Sequence, residues 1–315
     1  MDSSELYHVK QQFILGAYKS LVNLTLPDPG SPDYTPILVY QARAHIALNE
    51  PEAVSQVVPE DTENVALKAV SALARYVVAS SADKKDTSLE ELRDLCIEIE
   101  GEDVDADENE KGMVRVLAGT AFALAGEVEE ALETLGAGTS TQNLEAVAFT
   151  VQIYLSINRP DLARKEFDQA KRWSEDDLLL QLIESSIGLV TGKDGYSDCN
   201  SFYTEQLGNP SLSSAHLLTA RGVTRLLRGE VPAAKCDFEE AVSQLGGKPD
   251  AETLAAMTVA AGLGTSKHAE ADQLFSQLQS QYPSYPMVLD VDRKADLFDE
   301  LCAKFDVPPL AVATA

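Results

Sequence analysis

One short turn recurs along the chain and limits what it can fold into. In "LRGEVPAAKCDFEEA", Leu227 to Ala241, Gly229 is followed five residues later by Ala234. The same step joins Gly16 to Leu21, Asn49 to Val54, Gly126 to Ala131 and Asn158 to Ala163. These turns lie 33, 77, 32 and 71 residues apart, so the long gaps are about double the short ones. Each long gap is expected to hide a degenerate copy: a polar break near Lys85 in "SSADKKDTSLEEL", and another at Gly192 in "TGKDGYSDC". A last copy is expected in "GTSKHAEADQLF", with Ser266 at the turn and Ala271 at the small step. Recurrence at about 34 residues is the mark of a repeat array.

The segments between turns carry a helical period. "EAVAFTVQIYLSI" puts Val147, Val151, Tyr154 and Leu155 on one face, and "DLARKEFDQAKRW" does the same with Leu162, Phe167, Ala170 and Trp173 behind Pro160-Asp161. No alternating β-branched run with an Asn-Gly or Asp-Gly hairpin signal is found. The unit is therefore helix, turn, helix. Two antiparallel helices joined by a few residues pass close together near the turn, where only a slim side chain fits. Larger residues follow four positions on: Leu135, Phe167, Phe238 and Phe275. Ala170, Ala241 or Leu278 comes three further along. Gly119 and Gly222, each twelve residues before the small step, let the first helix approach its neighbour.

This small–large–small pattern resembles the tetratricopeptide repeat, although Val147 and Leu218 stand where that repeat has Trp. The expected fold is all-α, a tetratricopeptide-like α-solenoid in which helix-turn-helix units stack into a right-handed superhelix, because no unit can bury its apolar face alone. Residues 1–305 are expected to form a single solenoid with a closing C-terminal helix, and 306–315 a short tail.

Composition narrows the function. The 51 acids against 25 Lys and Arg leave a formal charge of −26, which repels nucleic acid and anionic lipid and suits a basic or apolar protein partner. No run of about 18 apolar residues spans a membrane, and the polar, acidic start "MDSSELYHVKQQ" is unlike a secretory or mitochondrial signal. The cytosol is the expected compartment. Cys96, Cys199, Cys236 and Cys302 are far apart and read as reduced core thiols. His8, His45, His216 and His268 form no zinc-binding pair.

Local motifs lead nowhere catalytic. "GLVTGKD", Gly188 to Asp194, is one residue short of a phosphate loop and has Asp194 where a hydroxyl belongs, so it reads as an inter-helix turn. "DVDADENEKG", from Asp103, lacks the glycine and glutamate of a calcium loop, with Glu108 and Val114 in their places; a solvated acidic loop is expected. No nucleophile signature is found. No enzyme, cofactor or metal is expected.

Three stretches carry a family resemblance. "FTVQIYLSINRPDLARKEF" with the following "EDDLLLQL", within Phe149 to Leu182, is similar to the coatomer epsilon-subunit family, most specifically over Thr150–Ile153 and Asp161–Glu166. "SELYHVKQQFILGAYKSLVN" resembles that family's opening, and "YPMVLDVDRKADLFDEL", Tyr285 to Leu301, its closing helix. The acidic stretch Glu98 to Lys111 departs from the family pattern. The resemblance implies a non-catalytic subunit of the COPI vesicle coat. It would hold and stabilise the C-terminal domain of the alpha subunit, lie near the beta-prime subunit through alpha, and serve Golgi-to-endoplasmic-reticulum and intra-Golgi transport. It would be peripheral on Golgi membranes and vesicles, touching membrane only through the coat.

Extrapolating the repeat register puts Leu6, Phe13, Val39, Arg43, Val116, Thr120, Ala148, Gln152, Thr219 and Val223 on the inner face, the candidate protein-binding surface. Another class remains, a tetratricopeptide adaptor or co-chaperone that clamps an extended peptide's carboxylate. A mostly apolar face with one Arg fits that poorly.

Overall fold

The recurring Gly or Asn has a clear backbone role. The structure, a computed structural model, describes residues 3–101, 106–139, 141–192, 195–263 and 268–305. In it Gly16, Asn49, Gly126, Asn158 and Gly229 all have positive φ, between 57° and 84°. At each, the next residue's N–H donates to a carbonyl five residues back: Ala17 to Gln12, Glu50 to His45, Glu127 to Phe122, Arg159 to Tyr154 and Glu230 to Arg225. Those bonds measure 2.7–2.9 Å and define one helix-terminating motif repeated along the chain. Gly adopts the left-handed conformation freely, and Asn is among the few other residues that tolerate it. The residue five positions on is sealed in every case: Leu21 and Val54 are 1% exposed, and Ala131, Ala163 and Ala234 are 0%.

The described residues form seventeen α-helices and one 3-10 turn, with no strand among them. In order these are α1 (Ser4–Ile14), α2 (Tyr18–Val22), α3 (Tyr34–Ala47), the 3-10 turn (Pro51–Ala53), α4 (Val54–Val57), α5 (Val65–Val78) and α6 (Ala82–Glu98). Then come α7 (Glu108–Ala125), α8 (Val128–Thr134), α9 (Leu144–Ser156), α10 (Pro160–Ala170), α11 (Leu178–Thr191) and α12 (Gly195–Leu207). The last are α13 (Ala215–Leu227), α14 (Val231–Gln244), α15 (Ala251–Gly262), α16 (His268–Gln281) and α17 (Pro286–Cys302).

The chain divides into two compact units, Met1–Leu217 and Leu218–Ala315. In the first, helices pair as α5–α6, α7–α8, α9–α10 and α11–α12, while α3, α5, α7, α9 and α11 stack each on the next. This is the layered architecture of an α-solenoid. Starts are fixed by side-chain caps: Asn64 accepts from the N–H groups of Ala66 and Leu67, Asp107 and Glu110 form a reciprocal capping box, and Asn143 and Asp177 cap α9 and α11. The close approaches fall where expected. A Cβ on Gly119 would stand 2.7 Å from Leu135 Cγ. Leu135 itself is 1% exposed.

In the second unit, α13–α14 and α15–α16 pair similarly. A Cβ on Gly222 would lie 2.3 Å from the Phe238 ring. Phe238, Ala234, Ala256 and Ala260 form the core there, and Leu254, Leu278 and Val288 form its neighbour, which takes in the first turn of α17.

Several expectations need correction. The break placed near Lys85 lies earlier, because α6 already starts at Ala82 and Ala79 is extended (φ −62°, ψ 121°). The polar run "DKKD" is the solvated face of a helix. Gly192 does end α11, with φ 79°. Ser266 lies outside the described residues, as does the tail 306–315. Trp173 is 39% exposed, because α10 ends at Ala170 and the helical register does not reach it. Cys199 is buried and Cys96 half-buried, but Cys236 and Cys302 are exposed and so are not core thiols.

Candidate protein interface

The inner helices of the first unit meet at Arg43. From α3, its guanidinium bonds Glu145 of α9 at 2.7 Å and the Met113 sulfur of α7 at 3.2 Å. It also stacks 4.3 Å from the ring centroid of Phe13, from α1, and 5.1 Å from that of Tyr40. The Tyr40 hydroxyl donates to the same Glu145. Phe13 packs edge-on to Tyr40 and Tyr18 at 5.3 and 5.4 Å. One residue of the register-predicted set thus ties four helices together. Burial pushes the Glu145 carboxyl up, but the charge and hydrogen bond of Arg43, with the Tyr40 bond, outweigh it and hold that pKa below the ordinary value. Burial likewise works against the Arg43 charge, and Glu145 more than restores it.

The end of α1 is anchored as well. Ile14 packs on the α9–α11 cluster around Val151 and Ile183, and the Ser214 hydroxyl donates to the Leu15 carbonyl at 2.6 Å. His216 lies so close that a Cβ on Gly16 would come within 2.8 Å of it.

The other predicted positions separate by accessibility. Leu6, Val39 and Val116 are buried, at 7%, 2% and 4% exposure, and serve the protein's own core. Phe13, Thr120 and Ala148 are half-buried and Gln152 is exposed, with its amide donating to Ser186 of α11 at 3.1 Å. The Thr120 hydroxyl donates to the Val116 carbonyl one turn back. In the second unit Thr219 is 5% exposed and shares a 2.8 Å hydrogen bond with Thr253. Val223 is half-buried against the Phe238 cluster.

Three groups escaped sequence reasoning. Tyr40 and Glu145 complete the Arg43 cluster. Asp237, only 2% exposed, accepts from both Arg221 and Arg225 at 2.7 Å. The spacing of those arginines, four apart on α13, was the available signal.

The two least exposed thiols are not activated as nucleophiles. Burial pushes the Cys96 thiol up to about 11 and raises that of Cys199, the opposite of what a reactive thiolate needs. A cleft of about 830 Å³ beside α6, α7 and α8 has Arg93 on its wall, but that guanidinium is held by Glu127 and Glu130 at 2.6 and 2.7 Å. Of the phosphate-loop-like stretch, 188–191 form the last turn of α11 and Gly192 ends it, while 193 and 194 lie outside the described residues; a Cβ on Gly188 would meet the Cys199 sulfur at 2.9 Å. In the acidic stretch, residues 102–105 lie outside the described ones, and Asp107 and Glu110 cap α7. Among the described residues no group of three or more His, Cys, Asp or Glu is placed to hold a metal ion. No described helix is long and apolar enough to cross a membrane.

Comparison with known proteins agrees with this architecture. Among solved structures, a tetratricopeptide repeat protein from Parabacteroides merdae superposes with a TM-score of 0.55 at 13% identity, covering 80% of this chain and 95% of that one. The APC/C hetero-tetramer Cut9-Hcn1 gives a TM-score of 0.56 at 14% identity, covering 91% of this chain and 53% of the other. Both speak to fold alone. Sequence relatives cover nearly everything. The probable coatomer subunit epsilon of Schizosaccharomyces pombe is 28% identical over 313 residues, 96% of each chain. Coatomer subunit epsilon-1 of Arabidopsis thaliana is 25% identical over 304 residues, 95% of this chain and 97% of the relative. The model of the coatomer epsilon subunit family matches residues 2–306, and the chain belongs to that family.

Proposed function

We propose that this protein is a structural subunit of the COPI coat that holds the C-terminal domain of the coatomer alpha subunit against the inner face of its helical stack, in Golgi-to-endoplasmic-reticulum and intra-Golgi transport. The observation that carries the coat reading is a family match running over residues 2–306, nearly the whole chain. Support for inner-face binding is geometric. Phe13, Thr120, Ala148 and Gln152 keep accessible surface on helices whose other inner residues are locked in place. Preorganised surface of this kind lowers the ordering cost of association. Membrane contact would run through the coat, as the −26 charge repels anionic lipid. The adaptor reading loses ground because Arg43, the one cation of the predicted face, is already committed to Glu145.

Gln152 offers a clean test because it is exposed and its amide reaches only as far as the Ser186 hydroxyl of the neighbouring helix. Gln152→Arg should weaken binding of an alpha C-terminal-domain fragment by roughly tenfold or more, about 1.4 kcal/mol, with wild-type helicity and melting. Glu240→Lys, at an exposed position of α14, should leave the affinity unchanged. Equal affinity for Gln152→Arg and wild type, or a loss confined to Glu240→Lys, would place the partner elsewhere.

A further inference from the structure

α17 begins packed and then stands free. Val288 is 1% exposed in the cluster with Leu254 and Leu278, but from Leu289 to Phe305 every residue except Asp290 is exposed. The helix is not polar there. Val291, Ala295, Phe298, Leu301 and Cys302 recur at helical spacing and form one stripe, with Phe298 67% exposed, and Phe305, three residues past the end of the helix, is 72% exposed. A helix of this length is marginal in water unless its apolar face is covered.

The charges beside the stripe indicate what covers it. Asp290 takes both Arg293 and Lys294, and Glu300 takes Lys304. These pairs use up the cations of the helix. Asp292, Asp296 and Asp299 line one edge of the stripe at helical spacing. Among the described residues no cation pairs with them, and Asp292 accepts only from the Gln279 amide, at 3.3 Å. An apolar seam with a one-sided row of uncompensated carboxylates calls for a partner helix with its own apolar seam and a facing row of Lys or Arg, because edge charges set partner and orientation in helix pairs. A second copy of α17 is a poor partner, since antiparallel pairing brings the two aspartate rows together. A membrane surface is no better, since helices that lie in lipid carry basic flanks.

We propose that the exposed stripe of α17 is a docking surface for an amphipathic, basic-edged helix of another subunit of the coat. The proposal rests on coat membership and not on the inner-face reading. The test is p-benzoylphenylalanine in place of Phe298, in the full-length chain assembled into recombinant coatomer and irradiated. The cross-link should land on a helix of another subunit, beside an apolar seam edged by Lys or Arg. Combining Asp292→Lys, Asp296→Lys and Asp299→Lys should cut its yield at least fivefold. Cross-linking to residues 306–315 of the same chain, to a second copy or to lipid would overturn the proposal, as would a yield indifferent to charge reversal. A coat that assembles without any cross-link would sink this proposal alone. Failure of the unmodified chain to join the coat would sink the coat reading with it.

Discussion

Gly222 lacks the one carbon that would collide with Phe238. The Phe238 ring is 1% exposed and enclosed by Ala234, Ala256 and Ala260, so it has nowhere to swing. Gly222→Ala should therefore destabilise the protein. Overpacking costs about 1–3 kcal/mol, while relief of the glycine penalty in a helix returns about 1 kcal/mol. The expected outcome is a lower melting temperature, whereas Gly262→Ala, whose nearest new neighbour would be Ala271 at 3.8 Å, should lose nothing. Equal melting for the two would mean that α13 and α14 do not cross at residue 222. This contact was legible in the sequence because it is local: Gly222 and the small step at Ala234 belong to the same helix pair. Asp237 was not. It reads as one more acid on an acidic chain, and only the fold shows that two arginines from α13 converge on it.

At the scale of elements, the joint inside a helix pair was read correctly at the left-handed Gly16, Asn49, Gly126, Asn158, Gly192 and Gly229, because such a residue leaves a mark in the sequence, whereas the left-handed Gly136, Gly138, Gly246 and Gly247 between pairs fall outside the repeat spacing and were not read. The joint was misplaced between α5 and α6, where the chain turns through extended Ala79 and Ser81 and needs neither Gly nor Asn. Trp173 was misplaced for a related reason: periodicity shows a face but not where the helix stops. The link between α3 and α9 was beyond reach. Arg43 could be put on the inner face, but its partner Glu145 lies far along the chain, on α9. Pairing them requires knowing how the stack coils, which repeat spacing does not reveal. If this pair ties the first unit together, Arg43→Met and Glu145→Gln should be non-additive. A double-mutant cycle in urea should give a coupling energy of roughly 0.5–3 kcal/mol, the range for residues in direct contact. Additive losses would show that the pair contributes no coupling. The stabilisation should be complete at neutral pH. It should fade as pH falls through the lowered Glu145 pKa, since protonation then removes the charge that Arg43 holds.

For the molecule as a whole, the sequence already carried the solenoid class, through the recurrence of one turn, and the family, through stretches at both ends and in the middle. It carried the binding face less well. Register alone cannot separate side chains that face a partner from those that face the next helix, and Leu6, Val39, Val116 and Thr219 are all buried within the protein's own packing. The central claim is that this helical stack acts by binding the alpha subunit, and co-elution tests it most directly. The purified chain and the C-terminal domain of the coatomer alpha subunit, mixed at micromolar concentration, should run through size-exclusion chromatography with light scattering as a single peak with the summed mass of one copy of each. Two separate peaks at the masses of the free proteins would contradict the account.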